Sequence, residues 1–166
     1  MAKAVFSKRD DNLKATWISG ISHPQYSADG PQTLVDGISG DGDWRKGSWM
    51  GIYDQNATLE ISLKNPKNLT TIKVGLLKDI RAWIALPKWV RVEVLVGDLW
   101  TEVGSTSLNE RALTQEDPYR LELPFNFETT LVKAIRVHYE NAGALENWHP
   151  GAGYPTYFFM DEVVLN

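Results

Sequence analysis

The sequence predicts an all-β sandwich of about eight antiparallel strands, on three observations. Apolar and polar residues alternate in repeated short runs, turn-forming residues separate the runs, and no segment carries the helical crossover that parallel strands need. A jelly roll is the arrangement such strands favour.

The runs follow one another along the chain. Leu59, Ile61 and Leu63 share one parity, as do Ile72, Val74 and Leu76, and then Val90, Val92, Val94 and Val96. The same period of two returns at Leu121, Leu123, Phe125 and Phe127, and at Ile135, Val137 and Tyr139, so each run buries one face. A closing run, YFFMDEVVLN, is strand-like but carries Asp161 and Glu162 at its middle. NPKN at 65–68, GD at 97–98, NERALTQEDP at 109–118 and HPGAGYP at 149–155 read as turns. Helical turns fit only at 34–36 and near Asn109. No repeat or linker divides the chain, which predicts a single domain over 1–166 with residues 1–12 as an extension.

Composition narrows the function. The chain is 43% hydrophobic and 23% charged, with a net charge of -4 and no cysteine. Thiol catalysis, disulfides and cysteine-held zinc are excluded. Nucleic acid is an unsuitable partner, because no basic stripe is present to meet phosphates. No apolar run approaches the length of a membrane span, so no membrane insertion is expected. The opening MAKAVFSKRDDNLK lacks the apolar centre and cleavage site of a secretory signal, which fits a cytoplasmic protein or a piece of a larger exported one.

Catalytic patterns are missing. The close acid pairs are Asp41 with Asp43 and Asp161 with Glu162, and neighbours along a strand point to opposite faces. His23, His138 and His149 show no metal spacing, and His138 alternates with apolar positions like a half-buried sheet residue. No GxSxG is present, and GDGDW lacks the Lys-Ser/Thr pair of a phosphate loop. The chain therefore reads as a noncatalytic binding domain.

The stretch DGISGDGDWRKGSWMG, residues 36–51, holds three Asp, five Gly and two Trp in sixteen residues. No helix or strand would choose that mixture, which suits holding a metal or a ligand. Seven Trp and six Tyr exceed what a core of this size needs, and several stand beside Gly, Pro, His or Arg. Aromatics so placed are candidates for stacking on a flat ligand or a sugar face. Trp49 and Trp89 are assigned to the core, and Trp17 and Trp100 to packing.

TLVDGISGDGDWRKGSWMGI (33–52), VGLLKDIRAWIALPKWVRVEV (74–94), AIRVHYENAG (134–143) and WHPGAGYPTYFFMDEVVL (148–165) together resemble the F5/8 type C, or discoidin-like, domains. Within this galactose-binding-like fold the likeness is to the family 32 carbohydrate-binding modules, above all those appended to bacterial family 20 β-hexosaminidases and chitobiases. The resemblance implies a structural Ca2+. Asp36 and Glu162 would supply carboxylates, Asp41 a carboxylate or carbonyl, and Thr33, Ile38 and Asp161 carbonyls. The chain departs from the commoner pattern of Thr before Trp, since the loop is longer and Ser48 precedes Trp49. The resemblance also implies a ligand site on loops at one end. Trp44, Trp83, Trp148 and Tyr154 are the candidate platforms, and Arg45, Asp79, Arg81 and His149 the candidate polar readers. Arg81 and Trp83 share a parity and point the same way if that stretch is extended.

The function so implied is a carbohydrate-binding module at the C-terminal end of a secreted or periplasmic glycoside hydrolase, binding galactose, GalNAc or GlcNAc. The alternative is an interaction domain that packs on its catalytic partner without binding sugar. Phospholipid binding is disfavoured, since the acidic chain has no basic cluster.

Overall fold

Two strands of 22 residues organise the chain, and the others pair along them. The computed structural model describes residues 10–108 and 117–166. Among these the strands are β1 (Leu13–Ser19), β2 (Met50–Tyr53), β3 (Ala57–Lys78), β4 (Trp89–Val96), β5 (Leu99–Ser107), β6 (Tyr119–Glu140) and β7 (Tyr157–Leu165). Every strand pairing is antiparallel. The first half of β3 pairs with β1 and with the second half of β6, which continues to β4 and β5. The second half of β3 pairs with β7 and with the first half of β6, and β7 continues to β2. Leu59 and Ile61 from one half of β3 meet Ile72, Val74 and Leu76 from the other in a single buried cluster, as a sandwich requires. Among the described residues no helix is long and apolar enough to cross a membrane.

The expected turn at NPKN is instead a bulge inside β3. Pairing runs from Ser62 opposite Ala134 to Lys67 opposite Val132, so residues 63–66 stand across from residue 133. Pro66 can donate no ladder hydrogen bond, and its polar neighbours swing outward while Leu63 and Leu69 stay buried. The strand bends between layers without reversing. For the same reason the runs at 121–127 and 135–139 are one bent strand, β6.

Residues 1–9 of the expected extension, and the expected helical turn near Asn109, lie outside the described residues. Asn12 is tied to the bulge: its side chain donates to the Asn65 carbonyl at 3.1 Å and accepts the Asn65 N–H at 2.7 Å. The 3-10 turn at Pro31–Val35 covers most of the one expected at 34–36, and three more stand at Pro24–Tyr26, Trp44–Lys46 and Ile80–Ala82. Trp49 is core, but Trp89 is only half-buried, sharing the outward parity of Arg91 and Glu93 on β4. Trp17 packs against the core from β1, and Trp100 lies under the Arg136 guanidinium, 4.0 Å from the ring centroid. His138 is half-buried between Thr58 and Glu93, both of which it hydrogen-bonds.

A second bulge shapes β7. Val74 pairs with Val163 and Leu76 with Met160, so Gly75 faces both Asp161 and Glu162. Asp161 is fully buried, and Arg120 Nε donates to its Oδ2 at 2.6 Å. A Cβ on Gly75 would run into Asp161 Oδ1 and Arg120 Nη2. Gly75→Ala therefore separates a buried ion pair, which costs about 3–5 kcal/mol. Urea denaturation should show that loss, while Gly42→Ala, which meets nothing within 4 Å, should stay near wild type.

Candidate functional site

Three connections meet at one end of the sandwich: residues 20–49 between β1 and β2, 79–88 between β3 and β4, and 141–156 between β6 and β7. The turn after β3 is closed by reciprocal hydrogen bonds between the backbones of Asp79 and Ile84, both 3.0 Å. Inside it the chain coils through Ile80–Ala82 and leaves Trp83 left-handed, at φ 66° and ψ 17°. The stretch is thus not extended, and shared parity does not align Arg81 with Trp83. A bulky residue at positive φ is uncommon and strained, and such strain gathers at functional sites.

The connection from β6 folds onto this turn. The Leu145 N–H donates to the Tyr154 carbonyl at 2.8 Å, and the Gly153 N–H to the Leu145 carbonyl at 3.0 Å. Trp83 packs on Gly151, where a Cβ would meet the indole at 2.8 Å, and its ring lies 5.5 Å from that of Tyr154, tilted by 31°. His149 is only 6% exposed. Its Nε2–H donates to the Ile80 carbonyl at 2.8 Å, and its Nδ1 accepts the Gly151 N–H at 2.9 Å. Both nitrogens are therefore taken by backbone, so His149 rivets the two connections together and is not a free polar reader.

Trp148 and Tyr154, in contrast, are 63% and 60% exposed. The Trp148 indole N–H donates to Glu146 Oε2 at 2.8 Å, which holds the ring upright. Beside it opens a recess of ≈ 530 Å³ with Lys78, Ile80, Leu86, Leu145 and Glu146 in its wall. That volume suits a small ligand, and an exposed ring beside polar groups is what a sugar needs. Glu146 and Lys78 were not among the expected site residues. No local pattern marks them, since a loop Glu and a strand Lys ordinarily solvate a surface.

A second recess, ≈ 510 Å³, opens among Tyr26, Trp44, Arg45, Gly47 and Trp49. Trp44 is half-buried, edge-on to Tyr26 at 5.5 Å and to Phe159 at 5.8 Å. Asp43 caps this turn, accepting the Arg45 N–H at 3.1 Å and Arg45 Nε at 2.8 Å, and the guanidinium sits 5.7 Å from the Trp44 ring centroid. Asp79 is half-buried, makes no capping bond, and acts on Arg45 through space. Arg81 is exposed and has no ion pair among the described residues.

The expected metal residues divide into two groups. The Glu162 side chain is buried; its Oε1 accepts the Gly37 N–H at 3.1 Å while its Oε2 has no hydrogen-bond partner. Burial, with help from the nearby Asp36 carboxylate, pushes Glu162 up to about 9 against the pull of the Gly37 N–H. Asp36 also accepts the Ile38 N–H at 2.8 Å, so the 36–38 turn wraps Glu162. Asp161 and Asp41 are engaged elsewhere. The Gly40 N–H donates to Asp161 Oδ2 at 2.7 Å alongside Arg120, whereas the Asp41 carboxylate pairs with Lys46 at 3.0 Å and its carbonyl accepts the Trp49 indole N–H at 2.8 Å. The Thr33 hydroxyl accepts the Asp29 N–H at 3.3 Å. Among the described residues no three His, Asp or Glu side chains gather as a metal cage. Two carboxylates and a glycine-rich turn remain, a donor set of the kind calcium takes, with one Glu162 oxygen left without a hydrogen-bond partner.

No protein-family model matches the chain, and no curated protein sequence matches it. Solved structures do. The family 32 carbohydrate-binding module of Clostridium perfringens NanJ, in complex with galactose, is similar over 93% of each chain at TM-score 0.57 and 10% identity. Chitosan-binding module 1 of a Paenibacillus sp. IK-5 chitosanase/glucanase is similar over 93% of this chain and 95% of its own, at TM-score 0.56 and 17% identity. The family 32 module of AlyQ, in complex with 4,5-unsaturated mannuronic acid, is similar over 92% and 93%, at TM-score 0.54 and 13% identity. The chain has the β-sandwich fold of the family 32, F5/8 type C-like modules.

The buried glutamate sets a pH dependence. Without metal, folded Glu162 keeps its proton to about pH 9, whereas the unfolded chain releases it near the ordinary carboxyl value. The folded state then binds the extra proton, so the contribution of Glu162 is fully present below about pH 4 and is lost as pH rises towards about 9. Denaturation midpoints taken in chelator across that range should fall by the equivalent of a few kcal/mol, and Glu162→Gln should flatten the curve.

Proposed function

We propose that this domain is a noncatalytic carbohydrate-binding module of a secreted or periplasmic glycoside hydrolase of the β-hexosaminidase/chitobiase kind. Its ligands are galactose-, GalNAc- or GlcNAc-type sugars. The observation that carries the reading is the exposed Trp148 ring on a recess walled by charged and apolar side chains, with the exposed Tyr154 ring against Trp83 on the same pair of connections. The C–H face of a sugar lies on such a ring while its hydroxyls meet the polar wall. The similar modules include one in complex with galactose, one that is chitosan-binding and one in complex with an unsaturated mannuronic acid, so the ring supports the class of ligand and not its charge.

Calcium belongs to the same reading. Glu162 and Asp36 would hold the ion, which supplies the positive charge that Glu162 lacks and fastens the 36–41 loop to β7. Partner contact falls to the other end, where Val96, Leu99 and Leu131 are exposed apolar residues suited to the parent catalytic domain.

Isothermal titration against a glycan panel at millimolar ligand tests the sugar reading. Trp148→Ala should lower affinity about tenfold or more, as loss of an aromatic platform worth over 1 kcal/mol requires, with the melting temperature unchanged because the ring is exposed. Absence of heat with every glycan would leave only the interaction-domain reading. Calcium at a hundred times its dissociation constant should stabilise the fold by about 2.7 kcal/mol, reversed by chelator. A melting curve indifferent to both would remove Asp36 and Glu162 as ligands.

A further inference from the structure

Charge in the Trp148 recess is one-sided. Among the described residues that line it, Lys78 is the basic and Glu146 the acidic side chain. Lys78 is buried, and its Nζ lies 3.0 Å from Asp117 Oδ1, with both side chains only 8% exposed. Asp117 is fixed in turn by the Ile80 N–H, which donates to its Oδ2 at 2.7 Å. That pair sums to zero charge at the recess wall. His149 adds none, because its Nδ1 lone pair is spent on the Gly151 N–H.

Glu146 is different. It has no cationic partner among the described residues, and its Oε2 accepts from the neutral Trp148 indole at 2.8 Å. Among the described residues one uncompensated negative charge therefore stands against the most exposed ring of the site, held there by the hydrogen bond that orients the ring. Arg81, on the neighbouring turn, does not line the recess.

We infer that Glu146 is a specificity-determining residue of this site, admitting neutral sugars and amino sugars with a free ammonium while rejecting sugars that carry a carboxylate or sulfate. The inference rests on the carbohydrate-binding reading and adds a rule of charge to it. An ionised carboxylate only accepts hydrogen bonds, so sugar hydroxyls and ammonium groups satisfy it. A uronate would place a like charge a few ångströms away from the exposed Glu146, where repulsion is modest at ordinary salt and is screened further as salt rises.

The test holds the ring constant and changes only the charge. The full chain is titrated calorimetrically with methyl galactoside, galactosamine and galacturonic acid, and with their glucose counterparts. Galacturonate or glucuronate should bind several-fold more weakly than its neutral counterpart at low salt, and the amine at least as tightly as the neutral sugar. The spread between amine and acid should narrow in Glu146→Gln, which keeps an acceptor for the Trp148 indole, and on raising salt with the wild-type chain. A uronate that binds as tightly as its neutral counterpart overturns the inference and leaves the carbohydrate reading standing. So does a spread unchanged by Glu146→Gln. Failure of all six sugars to bind overturns the carbohydrate reading, and this inference with it.

Discussion

Two adjacent acids in the last strand grip the glycine loop, and the ligand end is built outward from that grip. Asp161 takes the Gly40 N–H and Glu162 the Gly37 N–H, so two loop amides separated by three residues are pinned to β7. Alternation along a strand would send these side chains to opposite faces, but the bulge opposite Gly75 brings both to the same loop. A buried carboxylate is tolerated only when compensated, and Arg120 does this for Asp161. The pinned loop then places Trp49, whose indole lies against Gly40 and donates to the Asp41 carbonyl, and Trp44 follows at the rim.

Where the two connections meet, His149 and Trp83 are held by neutral contacts. His149 joins the turn at 79–84 to the connection at 141–156 through a carbonyl and an amide, and Trp83 packs against a glycine. Rings held this way lose little freedom when a ligand lands. That matters for sugars, because each hydroxyl exchanges water for protein at small net gain. An aromatic platform ordered in advance leaves more of that gain as affinity.

Much of this was legible in the sequence. Period-two runs at 59–63, 72–76 and 90–94 named strands and inward faces, because a half-buried strand writes its burial into alternation, whereas Val96 at the end of the third run is exposed. The surplus of Trp beside Gly and His placed the aromatic end. Failures came where local pattern meets tertiary context. NPKN reads as a turn anywhere, yet pairing on both sides of it carries the strand through as a bulge. Parity between Arg81 and Trp83 presumed an extended chain, and a 3-10 turn intervenes. His149 looked like a reader because a loop histidine usually faces water; only the fold shows both nitrogens spent. Gly75, in contrast, was a usable signal passed over, since glycine inside a strand often marks a bulge. Glu146 and the Lys78–Asp117 pair carry no such mark, because their meaning depends on what lies across the recess.

The distribution of charge separates stability from recognition. Arg120 with Asp161, Lys78 with Asp117 and Arg136 with Glu60 each close to short ion pairs within the sandwich or its rim. Because these are balanced locally, they add little field at the ligand end, where Coulomb terms fall with distance and salt. The potential there is set by the few groups left unbalanced, and Glu146 is the one beside the exposed ring. On the proposed function, a substitution that removes only the charge, such as Glu146→Gln, alters which sugar is accepted while keeping an acceptor for the Trp148 indole. A module that raises local concentration, on that proposed function, needs only modest affinity per sugar, and selectivity by a single charge would suffice.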